Sequence, residues 1–582
     1  MALLSVFHKQ GLEDFAKGLV DLGFLLVSSG GTAKYLKEKG FAVTDVAEIT
    51  GYPSIVGHRV VTLHPKIHAG ILALDTAEHQ ADLEKYEIHR FDVVCVDLYP
   101  VVQAIAKDDA SVESVMEMTD IGGPTLIRGA AKNHQNVIVV CDPADREWVI
   151  QELKTYGDLN PLQRCMLAEK VFDIMAAYDN AIWKFLSAQN GRMVDAIALN
   201  RGVELAYAEN RCQNPAHLFS SGGDDPLSPS KFDWASGTPS YISMADASQI
   251  MEVLCLIAES FRRSYGKVPH IVVAGKHGNP CGAAVSYNGP HEAIHKALIG
   301  DPVAVMGGEV VTNFSIGPNE AASLMTPLDD IGRKNWGLDL ILAPEFSDEA
   351  ANILGKREKR RLLANMALAE APFPSHQWIY RQVRNDWIRQ AAPSFVLTPD
   401  SIQSWSGKQM SREEFESAII AFACCWRASS NTVALAVDQM LIGLGCGQQD
   451  RIACVRLCLD RANRAGHDTH DSIFASDAFF PYAEAKQAAT DRDIEGLVKG
   501  ARDAINCMSS DNHKNIRYWS TLASLVSAYD RREGPQLLID AGCAGGVVPA
   551  DGKELENVQR LFEANDMAVA FLPPQYRGFS KH

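Results

Sequence analysis

Lys276-His277 closes an apolar run, His270 to Gly275, and opens a glycine-rich turn, Gly278-Asn279-Pro280-Cys281-Gly282. A lysine beside a histidine is costly to place near a core. Its charge favours a neutral imidazole, which can accept a proton. Further on, Ser429-Ser430-Asn431 precedes another apolar run, followed by Gly443, Gly445, Gly447 and Gln448-Gln449-Asp450-Arg451. The three glycines look superficially like a dinucleotide loop. The spacing is wrong and no acidic residue stands in the expected place, so that reading is set aside.

Four more clusters lie in the first third. Ser29-Gly30-Gly31-Thr32 sits between a strand run and a helical one. It is either a phosphate cradle of free N–H groups or a structural glycine turn. Arg59 to His68 (RVVTLHPKIH) is rich in donors and basic side chains, as either a binding loop or a solvated one. Tyr99-Pro100 ends a buried run, where the phenol either caps the core or serves an oxyanion in the cleft. Asp120-Ile121-Gly122-Gly123 leads into a helix containing Lys132, so Asp120 is either a cap or part of an anion site. His291-Glu292-Ala293-Ile294-His295 matches the zinc-peptidase pattern. It opens a short helix with no third ligand apparent, so a solvated helix face is the better reading.

The elements needed to hold these groups follow from the pattern. Residues 1 to about 195 alternate strand and helix signals, including Phe24 to Ser28, Asp92 to Leu98 and Val137 to Cys141. Helices are expected near 111–118, 122–133, 145–155 and 161–188. Such alternation implies a parallel sheet covered on both faces, with ligands at the carboxyl ends of its strands. A Gly/Pro/Ser/Asn-rich stretch, 209–240, reads as a linker. Beyond it, strands at His270 to Gly275 and Leu340 to Ala343 mix with helices expected near 243–265, 348–367 and 411–427. No short-period repeat or low-complexity tract is visible.

Composition narrows the class. The 582 residues carry 55 basic and 72 acidic side chains, a formal charge of −17. That balance argues against nucleic-acid binding while leaving room for anionic small molecules. Hydrophobic residues make up 47%, too many for a disordered chain. The 13 cysteines lack zinc-site spacing and read as reduced thiols. No signal peptide and no apolar run of membrane-spanning length is seen, so a cytoplasmic location without membrane contact is expected.

In order along nearly the whole chain, SGGTAK (29–34), RVVTLHPKIHAGIL (59–72), DLYP (97–100), DIGGPTLIRGAAKNH (120–134), KHGNPCGAAV (276–285), DPVAVMGG (301–308), SNTV (430–433), GLGCGQQDRI (443–452) and SDAFFP (476–481) resemble the bifunctional AICAR transformylase/IMP cyclohydrolase family. The resemblance implies an α/β fold. A methylglyoxal-synthase-like doubly wound domain (1–195) would precede two cytidine-deaminase-like α/β/α lobes (200–375 and 376–582). It implies formyl transfer from 10-formyltetrahydrofolate to AICAR, then closure of FAICAR to IMP, with no metal, in a homodimer. It carries proton transfer onto Lys276 and His277, and the formyl oxygen onto Asn431. Tyr207, Gly307, Asp339, Arg451, Asp477 and Arg577 match the transformylase pocket. Ser29, Gly31, Thr32, Arg59 and Thr62 would bind nucleotide, while Tyr99, Asp120 and Lys132 would assist ring closure.

The chain departs from the family pattern at several places. Val61 stands where the family has a lysine, Phe7-His8 where it has Ser-Asp, and Asp97 where it has Asn. Ala206 and Cys212 replace an arginine and a histidine, with Arg211 nearby as a substitute charge. Met306 replaces an aromatic residue. These changes leave a second reading: a divergent paralogue that binds a purine-pathway nucleotide or acts on a related imidazole ribotide, with the cyclohydrolase site impaired.

Overall fold

The computed structural model describes residues 1–57, 59–197, 199–326, 337–357, 359–374, 378–482 and 533–578. The chain divides into two units, Met1–Ala198 and Leu199–His582.

In the first unit five short strands, β1 (Ala2–Ser5), β2 (Leu26–Ser28), β3 (Val43–Asp45), β4 (Val93–Val96) and β5 (Ile138–Val140), pair in parallel in the order β3-β2-β1-β4-β5. β4 reads Val-Val-Cys-Val and is buried throughout, as a strand covered on both faces must be. The order reverses between β1 and β4, which opens a crevice at their carboxyl ends. A 29-residue helix, Pro161–Gln189, starts with a reciprocal cap between Asn160 and Gln163 and Pro161 at its first position.

The second unit opens with a hairpin, β6 (Asn200–Glu204) and β7 (His217–Ser220), so strands occupy part of the stretch read as linker. Next come β8 (Asp233–Ser236), β9 (His270–Lys276), β10 (Asn279–Ser286), β11 (Glu309–Thr312), β12 (Leu340–Ala343) and β13 (Arg361–Ala364). A separate hairpin, β14 (Trp378–Val383) and β15 (Asp386–Ala391), precedes β16 (Ser404–Ser406), β17 (Val433–Val437), β18 (Met440–Gly445), β19 (Ile473–Ser476), β20 (Gly545–Pro549) and β21 (Ala568–Leu572). Twelve of these form one sheet: β16-β21-β20-β19-β17-β18-β10-β9-β11-β12-β13-β8.

Each half of that sheet lays its six strands in the same sequence: third, second, fourth, fifth, sixth, first. The halves join antiparallel where Ala284 faces Met440. The boundary expected at 375 falls on residues 375–377, outside the described residues, and strands from both sides of it share the sheet.

Two long helices, Tyr241–Tyr265 and Arg412–Arg427, cover one face of this sheet, and shorter helices cover the other. Tyr241–Tyr265 is long and apolar enough on average to cross a membrane, by length and composition alone, and 67% of its most apolar stretch is buried in the unit. The helix expected at 348–367 ends at Leu354, and Arg361–Ala364 is a strand. Leu362 and Leu363 point to opposite, equally covered faces, so their apolar run carries no strand alternation.

The β9–β10 and β17–β18 connections are both two-residue turns with both residues at positive φ: 53° and 68° at His277 and Gly278, 48° and 61° at Asp438 and Gln439. That geometry matches the twist of paired strands.

Candidate functional site

In the first unit most of the candidate groups gather at the crevice between β1 and β4. Ser29 occupies the N-cap position of the helix Gly30–Glu38 without a side-chain bond to it, and a Cβ on Gly30 or Gly31 would meet no atom within 4 Å, so the helix start is open. Thr32 faces inward instead. Its Oγ1 accepts from Val6 N at 3.1 Å and donates to Val6 O at 2.9 Å, tying down the loop after β1. Lys9 donates to Val6 O in the same loop, and burial lowers its pKa.

Asp97, one of the departures from the family, anchors this loop from the other side. It accepts from Phe7 N and from His8 N at 3.1 Å, and pairs with buried Arg146 at 2.7 Å. Arg146 also donates to His8 O at 3.0 Å. The loop so held places the Phe7 ring edge-on to Tyr99, centroids 5.8 Å apart. Neither Arg146 nor this role of Asp97 was read from the sequence. A buried arginine leaves no local pattern.

Tyr99 is half-exposed. Burial pushes its pKa up, with the Asp120 charge adding to the effect, so the phenol holds its proton at neutral pH. Asp120 accepts from Gly123 N at 3.0 Å, and its own N–H donates to the Tyr178 hydroxyl at 2.7 Å, on the 29-residue helix. Burial raises the Asp120 pKa against the pull of the Gly123 and Gly122 N–H groups. A Cβ on Gly122 would lie 3.1 Å from Thr62 Oγ1, which puts buried Thr62 at the start of the helix Gly122–Lys132. His68, its pKa lowered by burial, bonds the Thr62 carbonyl.

Two candidates stand apart from this cluster. Arg59 is exposed and paired with Glu117. Lys132 ends its helix, roughly 15 Å along the axis from Gly122 at the usual rise per residue.

In the second unit the two halves of the sheet each send a segment to one place. From the first half, the β9–β10 turn is clamped by buried Asp246, which accepts from His277 N at 2.7 Å and Gly278 N at 2.5 Å. His277 therefore stands at a hairpin apex in a left-handed conformation that histidine tolerates better than most residues. Lys276 Nζ donates to Met306 O at 2.8 Å. A Cβ on Gly307 (φ 74°) would sit 3.8 Å from Lys276 Nζ and 3.9 Å from Asp339 Oδ2, so these three share a corner. Asp339 pairs with Arg357 at 3.1 Å.

From the second half comes the Ser429-Asn431 loop. Asn279 joins the two segments: its Oδ1 accepts from Ser429 N at 2.9 Å and its Nδ2 donates to His277 O at 3.1 Å. Asn431 is held by Arg451 Nη2, which donates to its Oδ1 at 2.8 Å, and by its own Nδ2 donating to Gln448 O at 2.8 Å. Among the described residues that leaves one amide hydrogen without an acceptor, available to a ligand oxygen. Fully buried Asp477 accepts from Arg451 and from Ser430 Oγ. Gly578 N donates to Asp477 O at 2.7 Å, which brings in Arg577, paired with Asp551 and 5.1 Å over the Phe479 ring.

Tyr207 lies at the start of the helix that carries Asp246, its carbonyl accepting from Tyr241 N at 2.9 Å. Arg211 and Cys212 are exposed in a short turn, Arg211–Gln213. Asp246 and the bridging role of Asn279 were missed from sequence. An acidic residue inside the apolar stretch Met244 to Met251 was the available signal.

The zinc-like pattern is otherwise engaged. His291 bonds Ser323 Oγ at 2.6 Å and Glu292 pairs with Lys296 at 2.7 Å. Among the described residues no group of three His, Cys, Asp or Glu side chains could hold a metal.

The matching family models and the PurH relatives agree on one family. The AICARFT/IMPCHase bienzyme family matches residues 130–461, and the MGS-like domain family matches residues 11–125. The bifunctional purine biosynthesis protein PurH of Acetivibrio thermocellus is 32% identical over 503 residues, 86% of this chain and 93% of that one. PurH of Bacillus cytotoxicus is 33% identical over 503 residues, with the same coverage. The crystal structure of ForH is 35% identical, covers 32% of this chain and 96% of its own, and has a TM-score of 0.29. The chain is a member of the AICARFT/IMPCHase bienzyme family, an MGS-like domain followed by the formyltransferase region.

Proposed function

We propose that this chain transfers the formyl group of 10-formyltetrahydrofolate to the amine of AICAR and then closes the resulting FAICAR to IMP. The observation that carries the first step is the convergence of the Lys276-His277 turn and Asn431 through Asn279. The AICAR amine is electron-poor and needs both a base and a polarised electrophile. His277 takes the amine proton as nitrogen attacks the formyl carbon. The free Asn431 amide hydrogen bonds the oxygen on which charge develops. Lys276 supports the proton's passage to the departing folate nitrogen. Arg577 meets substrate phosphate, while Asp339 and Gly307 line the folate side.

In the second step the carboxamide nitrogen attacks the formyl carbon and water leaves. The open helix start at Ser29-Gly31, with Arg59, Thr62 and the Thr32-braced loop, receives the nucleotide. Protonated Tyr99 is the proton donor and Asp120 orients it, while Lys132, at the far end of its helix, has no place in this step. The reading includes a homodimer in the cytoplasm, acting on small molecules and neither nucleic acid nor membrane. Val61 favours a narrower second reading for the first unit, in which ring closure is slow and FAICAR accumulates.

An absorbance assay with AICAR and 10-formyltetrahydrofolate, following tetrahydrofolate and IMP separately, tests both. Both products support the full reading. Tetrahydrofolate with accumulating FAICAR supports the narrower one. Neither product, from folded protein, overturns both in favour of a paralogue acting on a related ribotide.

A further inference from the structure

Glu309 opens β11, where it faces Gly275 of β9 and Leu340 of β12, and its side chain is 4% exposed. Val311, two residues on and on the same face, packs in the core under the helix Tyr241–Tyr265. That face brings Glu309 against Asp246, itself 4% exposed, and the two carboxyls share a hydrogen bond. Glu309 Oε2 is buried and meets no hydrogen-bond donor among the described residues.

Two buried carboxyls in contact cannot both ionise, so one keeps a proton. Asp246 already accepts two backbone N–H groups, from His277 and Gly278, so its oxygens are committed as acceptors. Glu309 is therefore the proton holder and donor.

We propose that Glu309 is a positioning residue for formyl transfer: through its hydrogen bond to Asp246 it fixes the carboxylate that clamps the Lys276-His277-Gly278 turn. The inference rests on the formyl-transfer reading and adds a residue that touches neither substrate nor folate. The titratable groups that act on it are Asp246 from the helix, Asp339 just before β12 and Cys281 on β10. Burial, with Asp246 and then Asp339 adding to it, pushes the Glu309 pKa up to about 9. Below that pH the clamp has its third donor. Above it two anions repel and the turn loosens.

The test uses the full-length chain, with kcat and KM for formyl transfer measured from about pH 7 to about pH 10. Glu309→Gln keeps a donor and cannot ionise. Its kcat relative to wild type is expected to be level near neutral pH and to rise roughly threefold or more at the alkaline end. Glu309→Leu is expected to lose about tenfold in kcat with little change in KM, a loss that glutamine rescues. A glutamine-to-wild-type ratio that stays flat across the range overturns the proposal whatever the leucine variant does. So does a leucine variant with wild-type kcat. If no formyl transfer is seen in wild type at any pH, the functional reading has failed rather than the role of Glu309.

Discussion

Asp97→Asn restores the residue the family carries and should destabilise the first unit. Asp97 uses one oxygen for the Phe7 and His8 N–H groups and the other for Arg146, at 2.7 Å with both side chains buried. An asparagine has one oxygen. Whichever partner it serves, its NH2 faces a donor. The lost charge-assisted bond costs about 1.5–3 kcal/mol. Removing a whole partner from a buried pair costs about 3–5 kcal/mol. Asparagine keeps one acceptor, so about 3 kcal/mol is expected. For a unit of this length that corresponds to a fall in melting temperature of roughly 6–12 °C. Calorimetry on the full chain reads the transition, and hydrogen exchange on peptides from residues 6–10 assigns it to the loop. Because that loop holds Phe7 against Tyr99, ring closure should fall as well. A loss under about 1 kcal/mol, or unchanged exchange in the loop, would refute the argument that the pair anchors the site.

Three further outcomes are expected. Asn279→Ala unties the two catalytic segments and should lower kcat for formyl transfer about 100-fold, the scale of a small misplacement, with ring closure on supplied FAICAR intact. Equal rates would mean the segments are held otherwise. Val61→Lys should speed ring closure roughly tenfold by supplying a missing cation, and no gain would show that the lysine is dispensable here. Asp120→Asn removes the charge that helps keep the Tyr99 proton on. The alkaline limb of ring closure should therefore move to lower pH, and a limb that stays or rises contradicts the pairing of these two groups.

The parallel sheet of the first unit was legible through three short apolar runs, those of β2, β4 and β5, between helical stretches, while β1 and β3 were not read. Arg361–Ala364 was misread as helix, since a strand buried on both faces has no alternation to find. The functional motifs were legible as clusters of reactive side chains. What joins them was not: Asn279 meets Ser429 across 150 positions, and Arg146 meets Asp97 across 49. Such contacts depend on which strands lie side by side, which no local spacing encodes. The departure at Asp97, alarming as an anion in a nucleotide site, becomes ordinary once its arginine is seen.

The repeated strand order of the large sheet has a consequence for stoichiometry. The turn Asp438-Gln439 occupies the place in the second half that His277-Gly278 occupies in the first. Gln439 N donates to Ser417 at 3.0 Å as Gly278 N does to Asp246, each acceptor five positions after the first residue of its helix. Yet the second turn is sealed: Gln439 bonds Glu416 at 2.8 Å and Asp438 O accepts from Lys296 at 3.1 Å. One hairpin of the pair is a working tool and its twin a rivet. If the proposed site is right, a chain laid out twice on one plan carries one formyl-transfer centre among its described residues, and titration with a tight ligand of that centre should saturate at one equivalent per chain rather than two.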